Sequence, residues 1–170
     1  RGGAGAGRYR GGAGGESALT VHDAPEGKIK GVALGVAGLR NSGQGMFGGY
    51  PGAPSLLMLK EGTRVNEVIA VDKAPDQLDD IGGEGRLLPY CEFDIGKSDV
   101  LYMRMSSGGG YGDPLDREPE RVLIDIENGI VSQHEAREIY GVVVALDALD
   151  AAATHELRAS LRRQRLEENP

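Results

Sequence analysis

The chain has 170 residues, 28 of them glycine and none tryptophan, with 39% hydrophobic residues and a formal net charge of −7. That length can bury a core as one domain. Glycine, however, costs up to about 1 kcal/mol more than alanine to order in regular structure, so a glycine-rich part is expected to lean on another surface. The acidic balance speaks against nucleic-acid binding, and no apolar run approaches the ~20 residues of a membrane-spanning helix. Cys91 is the single cysteine, which excludes an intrachain disulfide or a multi-cysteine metal site and suits a reducing, cytoplasmic setting.

Glycine and charge are unevenly placed. Only Gly129 and Gly141 follow Asp113, and residues 113–170 carry a balance of −6 against −1 for residues 1–112. We therefore expect an α+β chain: a glycine-rich, mainly antiparallel β region over 1–112, then a helical carboxyl-terminal region of two to three short helices over 113–170. The chain starts at Arg1 and shows no signal peptide, and we read it as a fragment, a processed product or a trimmed subunit.

Residues 1–15 hold eight glycines and three arginines. The run Arg8-Tyr9-Arg10-Gly11-Gly12 has the composition of a disordered RNA-binding tail, but the sequence turns strand-like at Ser17 and the net charge opposes that reading. The alternative is a loop whose backbone passes close to a strand, a second subunit or a ligand. In such a loop Arg8 and Arg10 either pair with a charged substrate or phosphate, or bridge to carboxylates of a portion upstream. Strands are predicted at Leu19 to His22 and Lys28 to Leu39, the latter interrupted by Gly31, Gly35 and Gly38, which suggest bulges or close packing. Gly43-Gln44-Gly45-Met46-Phe47-Gly48 matches the spacing of a dinucleotide fingerprint, but Gly49-Tyr50-Pro51-Gly52 forbids the helix that such a site requires, so it reads as a loop. Further strands are expected at Ser55 to Lys60, Val65 to Val71, Leu87 to Ile95 and Val100 to Met105. Between them, Asp72 to Arg86 reads as a surface excursion. Its Asp76, Asp79, Asp80 and Glu84 match no calcium-loop spacing.

After the triple glycine at 108–110 the grammar becomes helical. Asp113-Pro114 signals a turn in which the carboxylate accepts from nearby backbone N–H groups. Pro119 suits a first helical turn, Val122, Leu123 and Ile126 form an apolar stripe, and Asn128-Gly129 stops that helix. Ser132 and Glu135 form a capping box for a second helix ending at Gly141, and Val142 to Ala145 reads as extended. A third helix, capped by Asp147 or Asp150, runs through Leu157, Leu161 and Leu166, with Arg158, Arg162, Arg163 and Arg165 where positive charge suits the helix dipole. Gly110 is expected to resist a β-branched replacement if its turn needs a positive φ.

No catalytic constellation stands out. His22, His134 and His155 share no metal-ligand spacing, no serine lies in a nucleophile elbow, and nothing beside Cys91 favours its thiolate. His22-Asp23 is the best dyad, and a strand-end turn is its plainer reading.

The stretch Gly108 to Leu123 (Gly-Gly-Gly-Tyr-Gly-Asp-Pro-Leu-Asp-Arg-Glu-Pro-Glu-Arg-Val-Leu), with Asn128 to Ser132 and Glu135 to Val143, resembles the carboxyl end of the hydantoinase B/oxoprolinase family. The segments Gly5 to Gly14 and Pro51 to Pro54 fit the same family's glycine-rich region, while roughly Glu61 to Lys97 departs from it. The resemblance implies the carboxyl-terminal portion of a B-type subunit. Such subunits work with an A-type subunit, related to the actin and sugar-kinase ATPases, that phosphorylates an activated oxygen. The implied reaction is ATP-dependent opening of a cyclic amide, a hydantoin or 5-oxoproline. Carboxylation of acetone or acetophenone is the alternative, and an assembly module without an enzymatic partner is the second. ATP and Mg are expected in the partner subunit. A divalent metal held by His and Asp is expected in the amino-terminal portion of the B-type subunit, and no cofactor in this chain. The implied partners are that A-type subunit and that amino-terminal portion. The substrate or interface candidates are Arg8, Tyr9, Arg10, Tyr111 and Asp113; no catalytic residue and no metal ligand is assigned.

Overall fold

The computed structural model describes residues 3–24, 27–34, 43–71, 75 and 77–168. The far end of the second expected strand, Gly35 to Leu39, and Asp76 of the acidic stretch lie outside them. The chain divides into two compact units, one formed by Arg1–Gly14, Ser42–Ala53 and Ser107–Pro170, the other by Gly15–Asn41 and Pro54–Ser106. The step in composition at Gly112-Asp113 lies inside the first of these. Antiparallel sheets followed by carboxyl-terminal helices give the expected α+β class.

In the second unit, β1 (Glu16–Thr20), β6 (Val100–Arg104), β3 (Leu56–Glu61) and β4 (Glu84–Leu87) form one antiparallel sheet in that order, and β2 (Lys28–Ala33) pairs antiparallel with β5 (Cys91–Gly96). Alternation along β3 and β6 decides which face each side chain enters. Leu57, Leu59, Leu101 and Met103 join Ala33, Leu88 and Ile95 in one core, so the β2–β5 ribbon covers that face. Val100 points the other way, into a second cluster with Val65 and Ile81. Lys60, also on that side, is buried and donates to the carbonyl of Leu78 at 2.9 Å.

Three expectations are corrected here. Val65 to Val71 is a helix, α1 (Val65–Ala70), because Thr63 Oγ1 accepts from the Val65 N–H and Val65 and Val68 lie three residues apart facing Ile81 and Val100. Leu87 to Ile95 is two strands in two sheets, parted at Leu88-Pro89-Tyr90, where proline lacks a ladder donor. The stretch before Arg86 is not all surface: a 3₁₀ turn at Leu78–Ile81 buries Ile81, and Glu84 to Arg86 pair with β3.

In the first unit the helix signals hold where local chemistry wrote them. Helix α2 (Pro119–Glu127) has proline in its first turn, and Gly129 takes φ 66° just beyond its end. Helix α3 (Gln133–Glu138) opens on the capping box, with the Ser132 N–H donating to Glu135 Oε2 at 2.7 Å and the Glu135 N–H to Ser132 Oγ at 3.1 Å. Val122, Val131, Ala136, Tyr140 and Val142 form the core of this unit. The short strands β7 (Val144–Ala145) and β8 (Ala148–Leu149) pair across a two-residue turn, and α4 (Ala151–Glu168) follows, longer than expected and capped by Asp150, whose Oδ1 accepts from the Ala153 N–H at 2.9 Å.

That hairpin turn holds Leu146 and Asp147 at φ 49° and 60°. Both angles suit a type I′ turn, for which Asn-Gly is preferred because other residues meet Cβ strain. Leu146→Asn with Asp147→Gly is therefore expected to stabilise the chain by about 1 kcal/mol, and a thermal melt no higher than wild type would contradict it.

Candidate functional site

Three glycine-rich segments of the first unit, 3–12, 43–53 and 107–112, lie side by side and exchange backbone hydrogen bonds. Tyr9 and Tyr111 donate to each other's carbonyls at 2.9 Å, Met46 donates to Gly110 O and Gly112 to Met46 O, both at 2.9 Å, and Tyr50 donates to Ala6 O at 2.7 Å. Ser107 Oγ donates to Gly3 O and accepts from the Ala53 N–H. The Gly43–Gly48 stretch is a loop, as its sequence requires.

The glycines are what permit this spacing. A Cβ on Gly110 would fall within the carbonyl of Ala6. Gly110 is not among the residues with positive φ, so the turn-conformation reason offered by the sequence is replaced by close backbone approach. Gly112, at φ 76°, is the glycine of this run that needs the left-handed region.

On this layer stand the aromatic candidates. The Tyr9 and Tyr111 rings are 6.3 Å apart and tilted by 49°, and Phe47 lies 5.1 Å from Tyr111 at 56°. All three are exposed, Phe47 at 73%. Phe47 also sits at φ 51°, a conformation that costs a bulky residue about 1–3 kcal/mol. Sequence reasoning passed over Phe47 because a loop residue gives no sign of its backbone angle. Arg8 is exposed, with its guanidinium 5.6 Å from the Tyr9 ring centroid, and it makes no ion pair with a described residue.

Arg10 goes elsewhere. Its Nε donates to Asp125 Oδ2 at 3.2 Å, and Arg117 Nη2 donates to the same oxygen at 2.8 Å. Asp125 and Arg117 are 5% and 8% exposed. The Arg10 carboxylate partner is thus in this chain, on α2, rather than upstream. Arg10 Nη1 also donates to Gly11 O, Arg117 Nη1 reaches Arg8 O at 3.3 Å, and Arg117 Nε is buried without a partner among the described residues. Two guanidinium groups on one buried carboxylate leave a local excess of one positive charge, tying the amino-terminal glycine segment to α2. Neither Arg117 nor Asp125 was singled out by sequence, since Asp125 reads as the polar side of an amphipathic helix.

Asp113 accepts from the Leu115 N–H at 2.9 Å, the expected turn, and its two oxygens also accept from Arg165 Nη1 at 2.9 and 3.1 Å. Arg158 donates to Tyr140 O and Arg117 O, and Arg162 to Leu115 O and Asp116. These arginines, at positions 158, 162 and 165 and so on one helix face, clamp α4 onto the turn after Asp113; favourable dipole placement is a secondary matter. Burial is the main influence pulling the Arg158 guanidinium below its ordinary pKa, with Arg162 next.

Burial likewise raises the Tyr140 hydroxyl above the ordinary phenol range, with Arg117 and Arg10 opposing and Asp125 reinforcing. A folded-state pKa above the unfolded one gives stability that is complete below about pH 10 and is lost as pH rises towards the folded value, because the unfolded chain ionises first. Tyr140→Phe is expected to flatten the fall in urea midpoint between about pH 9 and 11; an unchanged slope would count against this origin.

The histidines stay apart. His134 and His155 are exposed on helices, and His22 pairs with the exposed Asp23, Nδ1 to Oδ2 at 3.0 Å. Cys91 is half-buried and free. Among the described residues no three His, Cys, Asp or Glu side chains gather as a metal site. The second unit holds a cavity of about 560 Å³ between α1, the 3₁₀ turn and β1–β6, lined mainly by apolar groups such as Val65, Ile69, Ile81 and Val100, with Glu16 and Tyr102 as polar neighbours. No helix among the described residues is long and apolar enough to cross a membrane.

The hydantoinase B/oxoprolinase family model matches residues 1–114. The chain belongs to that family. As a hydantoinase B/oxoprolinase chain it is 34% identical to the acetone carboxylase alpha subunit of Xanthobacter autotrophicus, over 95% of its own length and 23% of the relative's. That span, like the family match over residues 1–114, takes in Glu61 to Lys97, which corrects the expectation that this stretch departs from the family. Among solved structures it superposes on nucleotide-free acetone carboxylase with a TM-score of 0.73 at 29% identity, over 98% of this chain and 24% of that one. On the ATP-dependent caprolactamase from Pseudomonas jessenii the TM-score is 0.59 at 29% identity, over 91% and 24%. This family member thus spans about a quarter of the length of the curated relatives that it matches end to end.

Proposed function

We propose that this chain is a structural and assembly portion of a B-type subunit in an ATP-dependent ketone carboxylase of the acetone or acetophenone type. The observation that carries the reading is the extent of its similarity to the acetone carboxylase alpha subunit, which runs through the middle segment as well as both ends. On this reading ATP and Mg belong to an A-type partner subunit, and carboxylation joins a carbon from activated bicarbonate to the enolate carbon of the ketone. The chain's part is to present the glycine layer and hold it against α2 through Arg10, Asp125 and Arg117. A cyclic-amide hydrolase is the second reading, favoured by the likeness to caprolactamase over 91% of the chain.

The assembled enzyme tests both. ATP-dependent incorporation of labelled bicarbonate with acetone or acetophenone is the expected result. Ring opening of caprolactam or a hydantoin without bicarbonate favours the second reading, and neither activity sinks both. The chain by itself is expected to hydrolyse no ATP, since its Gly43–Gly48 loop does not open a helix. Sustained phosphate release by the pure chain would refute this.

A further inference from the structure

The glycine layer presents a face that its own packing does not need. Tyr9, Met46, Phe47 and Tyr111 are all exposed there, and Phe47, the most exposed of the four, is the one held at φ 51°. Folding alone favours glycine or asparagine at such an angle, so a strained and solvent-facing ring points to a role outside the fold.

We propose that this face docks an apolar segment of a partner subunit that carries a carboxylate to meet Arg8. The inference rests on the reading of the chain as one portion of a multi-subunit enzyme, and it names the surface and the chemistry of the partner. Aromatic residues, methionine and arginine are the types enriched at the buried centres of protein interfaces. Here the backbones are already fixed by hydrogen bonds, Tyr9 and Tyr111 to each other and Met46 to Gly110 and Gly112, so little ordering remains to be done on binding. Arg8 stands beside Tyr9 with no ion pair among the described residues, which makes it a free cation at the edge of an apolar patch. A second copy of the chain would bring another net charge of −7 and another unpaired Arg8, so like charge would meet like. Ring tilts of 49° and 56° leave no parallel-walled slot between the aromatics for a planar base.

The test uses the assembled enzyme with wild-type chain, Phe47→Gly and Arg8→Glu. Phe47→Gly removes the ring and relieves the backbone strain, and Arg8→Glu reverses an exposed charge that makes no ion pair among the described residues. Each is expected to raise the subunit dissociation constant at least tenfold, with the Arg8→Glu effect shrinking at high salt. Benzoyl-phenylalanine placed at position 47 is expected to cross-link, on irradiation, to a partner-subunit segment containing Asp or Glu. Wild-type dissociation constants in both variants overturn the docking face while leaving the proposed function standing. Cross-links confined to a second copy or to the same polypeptide also overturn it. A wild-type chain that assembles with no partner subunit removes the proposed function and this inference together.

Discussion

Asp125→Ala is expected to destabilise the protein by about 3–5 kcal/mol, because it leaves two guanidinium groups with no anion in a buried site. Arg117 is 8% exposed and already has one nitrogen without a partner among the described residues, so it cannot turn to water without dragging the turn after Asp113 with it. Arg10 would lose its ion pair with Asp125 and, with it, the tie between the glycine segment and α2. Urea unfolding of wild type and variant measures this. The cost is one of unpaired charge, so replacing all three groups with apolar residues, Arg10→Met, Arg117→Met and Asp125→Leu together, is expected to recover most of the loss. If Asp125→Ala costs less than about 1 kcal/mol, the network is not what holds these segments together.

Gly110→Val carries the other large effect. Gly110 is buried, donates to Tyr50 O and accepts from the Met46 N–H, both at 2.9 Å, so its backbone is held on both sides. Valine adds three carbons where the first already meets the Ala6 carbonyl, and a neighbouring backbone cannot give way as a side chain can. A loss of about 3 kcal/mol or more is expected, with the aromatic face disordered as a consequence. Gly110→Ala should show most of the effect, since the Cβ itself is the clash; were alanine tolerated and valine not, χ1 branching would be the cause instead. Complex yield and activity per assembled complex separate the two levels: yield falls, while molecules that do assemble retain activity.

Some of this architecture is local in origin, and some is not. Pro119, Asn128-Gly129, the Ser132 and Glu135 pair and Asp150 act on backbone groups within four residues, so they are readable in one dimension. The strand ending at Arg104 is similarly plain from its apolar run into the triple glycine. Val65 to Ala70 misled because six residues rich in β-branched side chains resemble a strand until a partner surface rewards spacing of three. At the candidate site the sequence pointed to Arg8, Tyr9, Arg10, Tyr111 and Asp113, yet it gave no hint of Phe47, Arg117 or Asp125. Their significance comes from a backbone angle and from a pairing across 115 positions in the chain.

By itself the sequence determined the class of fold, the family, the starts of the last three helices, the stop of α2 at Asn128-Gly129, and the need for a glycine-rich layer. Each of these follows from residue type acting over a few neighbours, or from a long motif. Only the tertiary structure decided which backbones the glycines admit, which carboxylate neutralises Arg10, and which rings are left facing solvent. Those outcomes depend on segments about a hundred residues apart meeting at van der Waals or hydrogen-bond distance, and no local pattern encodes such a meeting.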